Sequence, residues 1–396
     1  MTTIRLENEK FGSAEKLTTI LKDRLLSVIP AESTEPSDQR LTTYVCSAAY
    51  EEALGGEEAA VAKGRAVRAG TMMIVEEGAP VFGVTETMGG KLIRVSMPAP
   101  SKSGGPMVSP SDDYGLQVIA TMLSDETTVA AGDNASRELL GLARRVAKTD
   151  VTVFVNGPTG TGKEVLARFI HNHSERAGAP FVAINCAAIP ENMLEAILFG
   201  HEKGAFTGAS TANKGIFRAA DTGTLLLDEI SEMPMSLQAK LLRALQEKTV
   251  TPIGSQTDIP VDVRVVATTN RNMAQEIREG KFREDLYYRL NVFPLNTVAL
   301  AQRVEDIVPL ATFLLRRHVK SASDMPWLAE SAINALCAHG WPGNVRELEN
   351  VLQRALVLAS DGVIGATEIL IDNALHASPG TPASMANVFR PSAAQA

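Results

Sequence analysis

The stretch that most limits what this chain can become is residues 151–164, VTVFVNGPTGTGKE. Residues 151–155 are mostly β-branched or aromatic and predict a buried strand, and a glycine-rich turn leads from it into helix-forming residues. Strand, bare-backbone turn and helix in that order make a phosphate cradle. Gly157, Gly160 and Gly162 let the chain bend and bring N–H groups against anionic oxygens, while the helix offers the positive end of its dipole. Pro158, Thr159 and Thr161 complete the turn, and Lys163 has the reach for the outer phosphates. The spacing is that of the Walker A form, except that Glu164 stands where a Ser or Thr usually helps to hold magnesium. Read blandly, these residues are a tight turn followed by a surface lysine; the flanking strand and helix patterns weigh against that.

A cradle of this kind needs acids nearby, and residues 224–230, TLLLDEI, supply them. An apolar strand ending in Asp228 and Glu229 puts two carboxylates at the edge of a sheet. Asp228 suits magnesium, and Glu229 suits the orientation and deprotonation of an attacking water. The bland alternative is an acidic start to the following helix. Residues 181–185, FVAIN, and 262–270, DVRVVATTN, read as two further strands, separated from the others by helical patterns. Strands alternating with helices predict a parallel sheet covered on both faces, with ligand at the carboxyl ends. Asn270, at the last of those ends, is placed to position the water or sense a γ-phosphate, and would equally serve as a turn cap.

Ahead of the cradle, Asp133 or Asn134 caps a helical pattern whose Leu139, Leu140, Leu142 and Val146 fall on one side. Residues 1–97 read as a small mixed α/β domain, with a helix over 14–28 and strands at TMMIVEE, PVFGVTET and KLIRVSM. It shows no acidic cluster of the kind that a phospho-accepting domain requires, and a docking or regulatory role is expected. Residues 98–113 are dense in Pro, Ser and Gly, and a linker is expected over 98–127. After residue 300, three stretches with apolar residues at three- and four-residue spacing predict helices, at 304–319, 328–339 and 344–359.

The 396 residues suffice for two or three domains, and none of their apolar runs approaches membrane-spanning length. Three scattered cysteines, Cys46, Cys186 and Cys337, suit free thiols in a reducing cytoplasm. A formal charge of −8 provides no general basic field for nucleic acid.

Residues 199–209, FGHEKGAFTGA, give the pattern a family. With GAFTGA at 204–209 between the two halves of the phosphate chemistry, residues 128–375 resemble the central ATPase domain of bacterial enhancer-binding proteins, the AAA+ activators of sigma-54 RNA polymerase. The resemblance implies a P-loop AAA+ fold: an α/β ATPase subdomain over 128–300, an α-helical lid over 301–375 and a tail over 376–396. It implies ATP and Mg2+ as cofactors, and a contact with sigma-54 through Gly204, Ala205, Phe206, Thr207, Gly208 and Ala209. The flanking glycines suit a mobile loop that presents an exposed aromatic and a hydroxyl.

Other roles follow position by position. The family's cradle ends in GTGKE, as here with Glu164; Pro158 and Thr159 depart from its common GESGTGKE. Asn185, in FVAINCAA, matches the residue thought to restrain the catalytic glutamate. Arg283 and Arg289, in FREDLYYRL, match the arginines that reach a neighbouring subunit's nucleotide, a task suited to a permanently charged fork. Arg346, in WPGNVRELEN, matches the lid's sensor arginine, and Trp341 is expected between lid and sheet. VALAQRVEDI lacks the proline and one arginine of the usual PLRER but keeps Arg303, so packing between the subdomains is expected to differ there.

The implied function is ATP hydrolysis at the seams of a homo-oligomeric ring, a hexamer by expectation, coupled to promoter opening by sigma-54 RNA polymerase. Residues 378–396, SPGTPASMANVFRPSAAQA, do not fit a helix-turn-helix, so no autonomous DNA binding is expected. The alternative is a regulatory subunit in mixed rings with a DNA-binding relative.

Overall fold

The computed structural model describes residues 3–31, 42–98, 114–125 and 127–371. Its N-terminal part runs β1 (Thr3–Leu6), α1 (Ala14–Asp23), β2 (Ser27–Pro30), β3 (Thr42–Ser47), α2 (Ala48–Leu54), α3 (Glu57–Ala66), β4 (Thr71–Ala79), β5 (Gly83–Thr87) and β6 (Leu92–Pro98). The strands form one sheet in the order β2-β1-β3-β4-β6-β5. Every pair is parallel except β5 with β6. The helix expected over 14–28 is shorter, because the chain turns at Leu25 (φ 61°) into β2. In such a doubly wound sheet the carboxyl ends of β1 and β3 flank a ligand crevice. Here β3 ends in Ser47, which caps α2 by accepting from the Tyr50 N–H and donates to the Lys10 carbonyl at 2.7 Å. Glu51 on α2 is held by both amino groups of Arg94, at 2.8 and 2.7 Å.

Part of the stretch expected as linker is α4 (Tyr114–Leu123), with nine of its ten residues buried. Leu116, Ile119, Ala120 and Leu123 enter the core of the N-terminal sheet, and Tyr114 and Val118 enter that of the C-terminal helices. A helix apolar on all sides is stable only when covered on all sides, which is why this segment is sandwiched. Arg24, at the end of α1, donates to Gln117 Oε1 at 2.7 Å and Thr121 Oγ1 at 2.9 Å.

Then follow α5 (Asn134–Ala147), β7 (Val153–Asn156), α6 (Lys163–Asn172), β8 (Phe181–Asn185), α7 (Glu191–Phe199), α8 (Gly215–Ala219), β9 (Thr224–Asp228), α9 (Met235–Glu247), the short pair β10 (Thr249–Val250) and β11 (Ile259–Pro260), β12 (Arg264–Thr269), α10 (Met273–Arg278), α11 (Glu284–Leu290) and β13 (Phe293–Asn296). Asp133 caps α5 through the Ala135 N–H. Five parallel strands lie in the order β13-β7-β12-β9-β8. Alternate residues of the inner strands feed two cores. Phe154, Leu225, Leu227 and Val265 pack with α7, α9 and α11, whereas Val153, Val155, Leu226 and Val266 pack with α5 and α6. Burial on both faces explains why these strands read as apolar runs without alternation.

The C-terminal helices are α12 (Ile307–His318), α13 (Glu330–Ala338) and α14 (Asn344–Leu358), with a parallel pair β14 (Trp327–Leu328) and β15 (Val363–Ile364). Their core gathers Ile307, Leu314, Leu315, Ile333, Leu336, Trp341, Leu348 and Leu352. Each fully buried aliphatic side chain contributes about 2 kcal/mol. Trp341 sits inside this core, its Nε1 donating to the Leu336 carbonyl at 2.8 Å, and not between lid and sheet as expected. The indole needs an acceptor when buried, and the end of α13 supplies one.

Candidate functional site

The cradle forms where the sequence placed it. The carboxyl end of β7 opens into a turn with Gly157 (φ 155°), Gly160 (φ 77°) and Gly162 (φ 99°), all on the positive side that glycine alone adopts freely. Space forbids larger residues as well: a Cβ on Gly157 would stand 2.1 Å from Thr297 Oγ1, and one on Gly160 2.5 Å from the Gly343 carbonyl. Thr161 Oγ1 donates to the Pro158 carbonyl at 2.8 Å and meets Thr297 Oγ1 at 2.7 Å, so β13 props the turn from behind.

Lys163 begins α6 and is only 6% exposed. Its Nζ donates to the Gly157 carbonyl at 3.0 Å and the Pro158 carbonyl at 3.3 Å, and lies 3.8 Å from Glu229 Oε1. Burial pulls its pKa down, against the opposing pull of Glu229 and Asp228. An amine desolvated in this way gains from an incoming anion. Glu164 takes no part in the cradle; it lies 3.8 Å from Arg168 along α6, beside a cavity of about 720 Å³ also lined by Val165, Phe313 and Arg316.

The acids close the other side. Asp228 ends β9, accepting from Thr268 Oγ1 at 2.5 Å on one oxygen and from Asn185 Nδ2 at 2.8 Å on the other. Each oxygen keeps a further lone pair, so the carboxylate fits Mg2+, which takes one or two carboxylates and completes its shell with water and phosphate. Glu229 has φ 51° and ψ 50°, a left-handed conformation that costs a non-glycine residue about 1–2 kcal/mol. That twist sends its carboxylate away from Asp228's partners, toward Lys163 and the Asn270 N–H at 3.3 Å. Asn185, expected to restrain Glu229, therefore bonds Asp228 instead, while its Oδ1 caps the next turn at Ala187 and Ala188. Asn270 Nδ2 reaches across to Thr159 Oγ1 at 2.7 Å, joining the end of β12 to the cradle.

Arg283 and Arg289 are not brought to the cradle. Arg283 forks onto Asp285 at 3.0 and 2.7 Å, holding that carboxyl below its usual range, and Arg289 donates to the Leu245 carbonyl at 2.9 Å. Arg283 precedes the first turn of α11 and Arg289 lies in its last turn, next to exposed Tyr288.

Residues 204–209 form a loop closed at its base by Gly204 N–H to Ala209 carbonyl at 2.8 Å. Gly204 (φ 81°) and Gly208 (φ 103°) make its bends. Phe206 is 45% exposed, its ring edge-on to His201 at 4.9 Å. Beneath it, the turn after β10 grips the loop's stem through Glu202 N–H to Ile253 carbonyl and Ile253 N–H to Gly200 carbonyl, both 2.9 Å.

The lid meets the cradle through residues that sequence reasoning only partly found. Arg346 is exposed, with its Cβ close over Gly160. Arg303 donates to the Thr161 carbonyl at 2.8 Å and to Asp306 at 3.2 Å. Asp306, fully buried, also accepts from the N–H groups of Gly132 at 2.7 Å and Asp133 at 2.8 Å and from Ser136 Oγ at 2.5 Å. Arg303 and Asp306 thus hold the subdomains together despite the missing proline and arginine. Asn344, at the start of α14, carries no expected role in the sequence, yet it touches the cradle directly through the Thr159 carbonyl. The signal was available in its type, since asparagine after glycine tolerates a left-handed backbone.

Residues 129–296 match the Sigma-54 interaction domain, and residues 301–385 match the AAA+ ATPase lid domain. The response regulator protein FleR of Pseudomonas aeruginosa is 57% identical over 249 residues, 63% of this chain and 53% of that protein. The transcriptional regulatory protein FlbD of Caulobacter vibrioides is 44% identical over 279 residues, 70% of this chain and 61% of that protein. The chain thus spans about half to three fifths of these relatives' length. Among solved structures, NtrX from Brucella abortus in complex with ADP aligns with a TM-score of 0.57 at 25% identity, covering 93% of this chain and 86% of that one.

Proposed function

We propose that this chain, which carries the sigma-54 interaction domain and its AAA+ lid, hydrolyses ATP and uses the cycle to remodel sigma-54 RNA polymerase so that promoters open. The observation that carries the reading is the meeting of Lys163, Asp228 and Glu229 at one sheet edge, with Lys163 Nζ 3.8 Å from Glu229. The N–H groups of the cradle and the end of α6 bind the phosphates, and Lys163 carries charge to the outer ones. Asp228 would hold Mg2+, which when bound neutralises developing charge on phosphate oxygens. Glu229 orients a water and accepts its proton; Asn270 stands beside it through its N–H and through Thr159. Asn185 fixes the rotamer of Asp228.

Arg283 and Arg289 serve the nucleotide of the next subunit in a ring, expected as a hexamer in the cytoplasm. Arg289 is exposed, Arg283 is half-buried, and their bonds go to Asp285 and to the Leu245 carbonyl, which supports that use. An arginine supplied in trans is worth roughly a thousandfold or more in phosphoryl transfer, which makes turnover depend on assembly. Phe206 and Thr207, on the loop gripped by Ile253, contact sigma-54.

The test is Glu229→Gln. Removing the base while keeping the amide contacts should leave ATP binding within about twofold and lower turnover by a hundredfold or more, on the order expected for general-base loss. Turnover unchanged in steady-state phosphate release would take Glu229 out of this role.

A further inference from the structure

Three successive carbonyls of the cradle point away from the phosphate side and are each held by a donor from the lid. The Thr159 carbonyl accepts from Asn344 Nδ2 at 2.9 Å. The Gly160 carbonyl accepts from the Val345 N–H at 2.9 Å. The Thr161 carbonyl accepts from Arg303 Nη2 at 2.8 Å. In a trans peptide the C=O and the following N–H point in opposite directions. Fixing these carbonyls outward therefore fixes the N–H groups of Gly160, Thr161 and Gly162 inward, and those are the donors on which a phosphate would sit.

From this geometry we infer that Asn344 is a positioning residue for nucleotide binding: it sets the orientation of the cradle's backbone from the lid side and couples the lid to whatever the cradle holds. Asn344 is 3% exposed with φ 54°. Its Oδ1 accepts from the Leu300 N–H at 2.8 Å, where the chain leaves the sheet for the lid. Its amide also donates to the Pro342 carbonyl at 3.3 Å. One side chain thus joins the cradle, the crossing segment and the start of α14. Two demands fix the residue type. The backbone must be left-handed, which suits Gly, Asn or Asp, and the side chain must both donate and accept, which among these only Asn can do. The other two tethers are less separable, because Val345 donates from its backbone and Arg303 is shared with Asp306.

The inference rests on ATP being the ligand, and its test distinguishes the two. In the full chain, Asn344→Asp keeps the shape and the Leu300 contact but sets a carboxylate oxygen against the Thr159 carbonyl. Asn344→Gly keeps the backbone conformation and removes the side chain. Both should weaken ATP binding, measured calorimetrically, by about tenfold, the effect of one buried hydrogen bond. KM should rise in step and kcat at saturating ATP should hold within about twofold. A merely structural role would lower the active fraction, and hence apparent kcat, and leave KM in place. ATP binding by both variants at the wild-type affinity overturns the tether while leaving the ATP reading intact. Failure of the wild-type chain to bind ATP removes both.

Discussion

Asp306→Ala should be among the most damaging single changes outside the phosphate chemistry. The carboxylate is fully buried and accepts from two backbone N–H groups, a serine hydroxyl and an arginine. Truncation leaves Arg303, itself largely buried, without its acid, and breaking a buried pair from one side costs about 3–5 kcal/mol. The orphaned N–H groups of Gly132 and Asp133 add to this, partly offset if water enters. A net loss of about 4 kcal/mol lowers the melting temperature of a unit of this size by about 10 °C. Asp306→Asn retains one acceptor oxygen and should lose roughly half as much. Thermal unfolding followed by circular dichroism at pH 7 is sufficient. A shift under about 3 °C for the alanine variant would refute the claim that this side chain ties the lid to the start of α5.

Two further outcomes are expected. Thr207→Ala, on an exposed loop remote from the acids, should leave ATPase activity within about twofold, since surface changes seldom move stability beyond about 0.5 kcal/mol. It should abolish sigma-54-dependent open-complex formation, and transcription at the wild-type level would exclude the loop from that contact. His171 is buried with Nδ1 2.9 Å from Thr224 Oγ1, and burial, with Arg168 and Arg264 nearby, pulls its pKa below the ordinary 6.5. Below that value the unfolded chain takes up a proton that the folded one refuses, so stability falls with acidity, at up to about 1.4 kcal/mol per pH unit. Melting curves at pH 7 and 5.5 should show a smaller acid loss for His171→Gln than for the wild type; equal losses would place the sensitivity elsewhere.

Much of the site was legible because its chemistry depends on residue type at fixed spacing. Lys163, Asp228, Glu229 and Asn270 meet as their strand ends predict, and the exposed Phe206 stands on a glycine-bent loop. What escaped depends on conformation or context. The positive φ of Glu229, which parts it from Asn185, leaves no mark in composition. β13 carries Pro294, a residue that argues against a strand, and is tolerated because the strand lies at the sheet edge. β1 and β3 are short and covered, so they offer no alternation to detect. α4 follows a run of Pro, Ser and Gly whose composition concealed a helix apolar all round.

That same helix bears on how the molecule can be dissected. A cut within residues 98–113 leaves α4 on the C-terminal fragment with Leu116, Ile119 and Leu123 stripped of the sheet that shields them, inviting self-association. A cut after α4 instead deprives the lid of Tyr114 and of the Thr121 to Thr312 bridge at 2.9 Å. Neither fragment reports faithfully on the intact chain, and comparisons between shortened and intact versions will mix loss of the α4 contacts with loss of solubility.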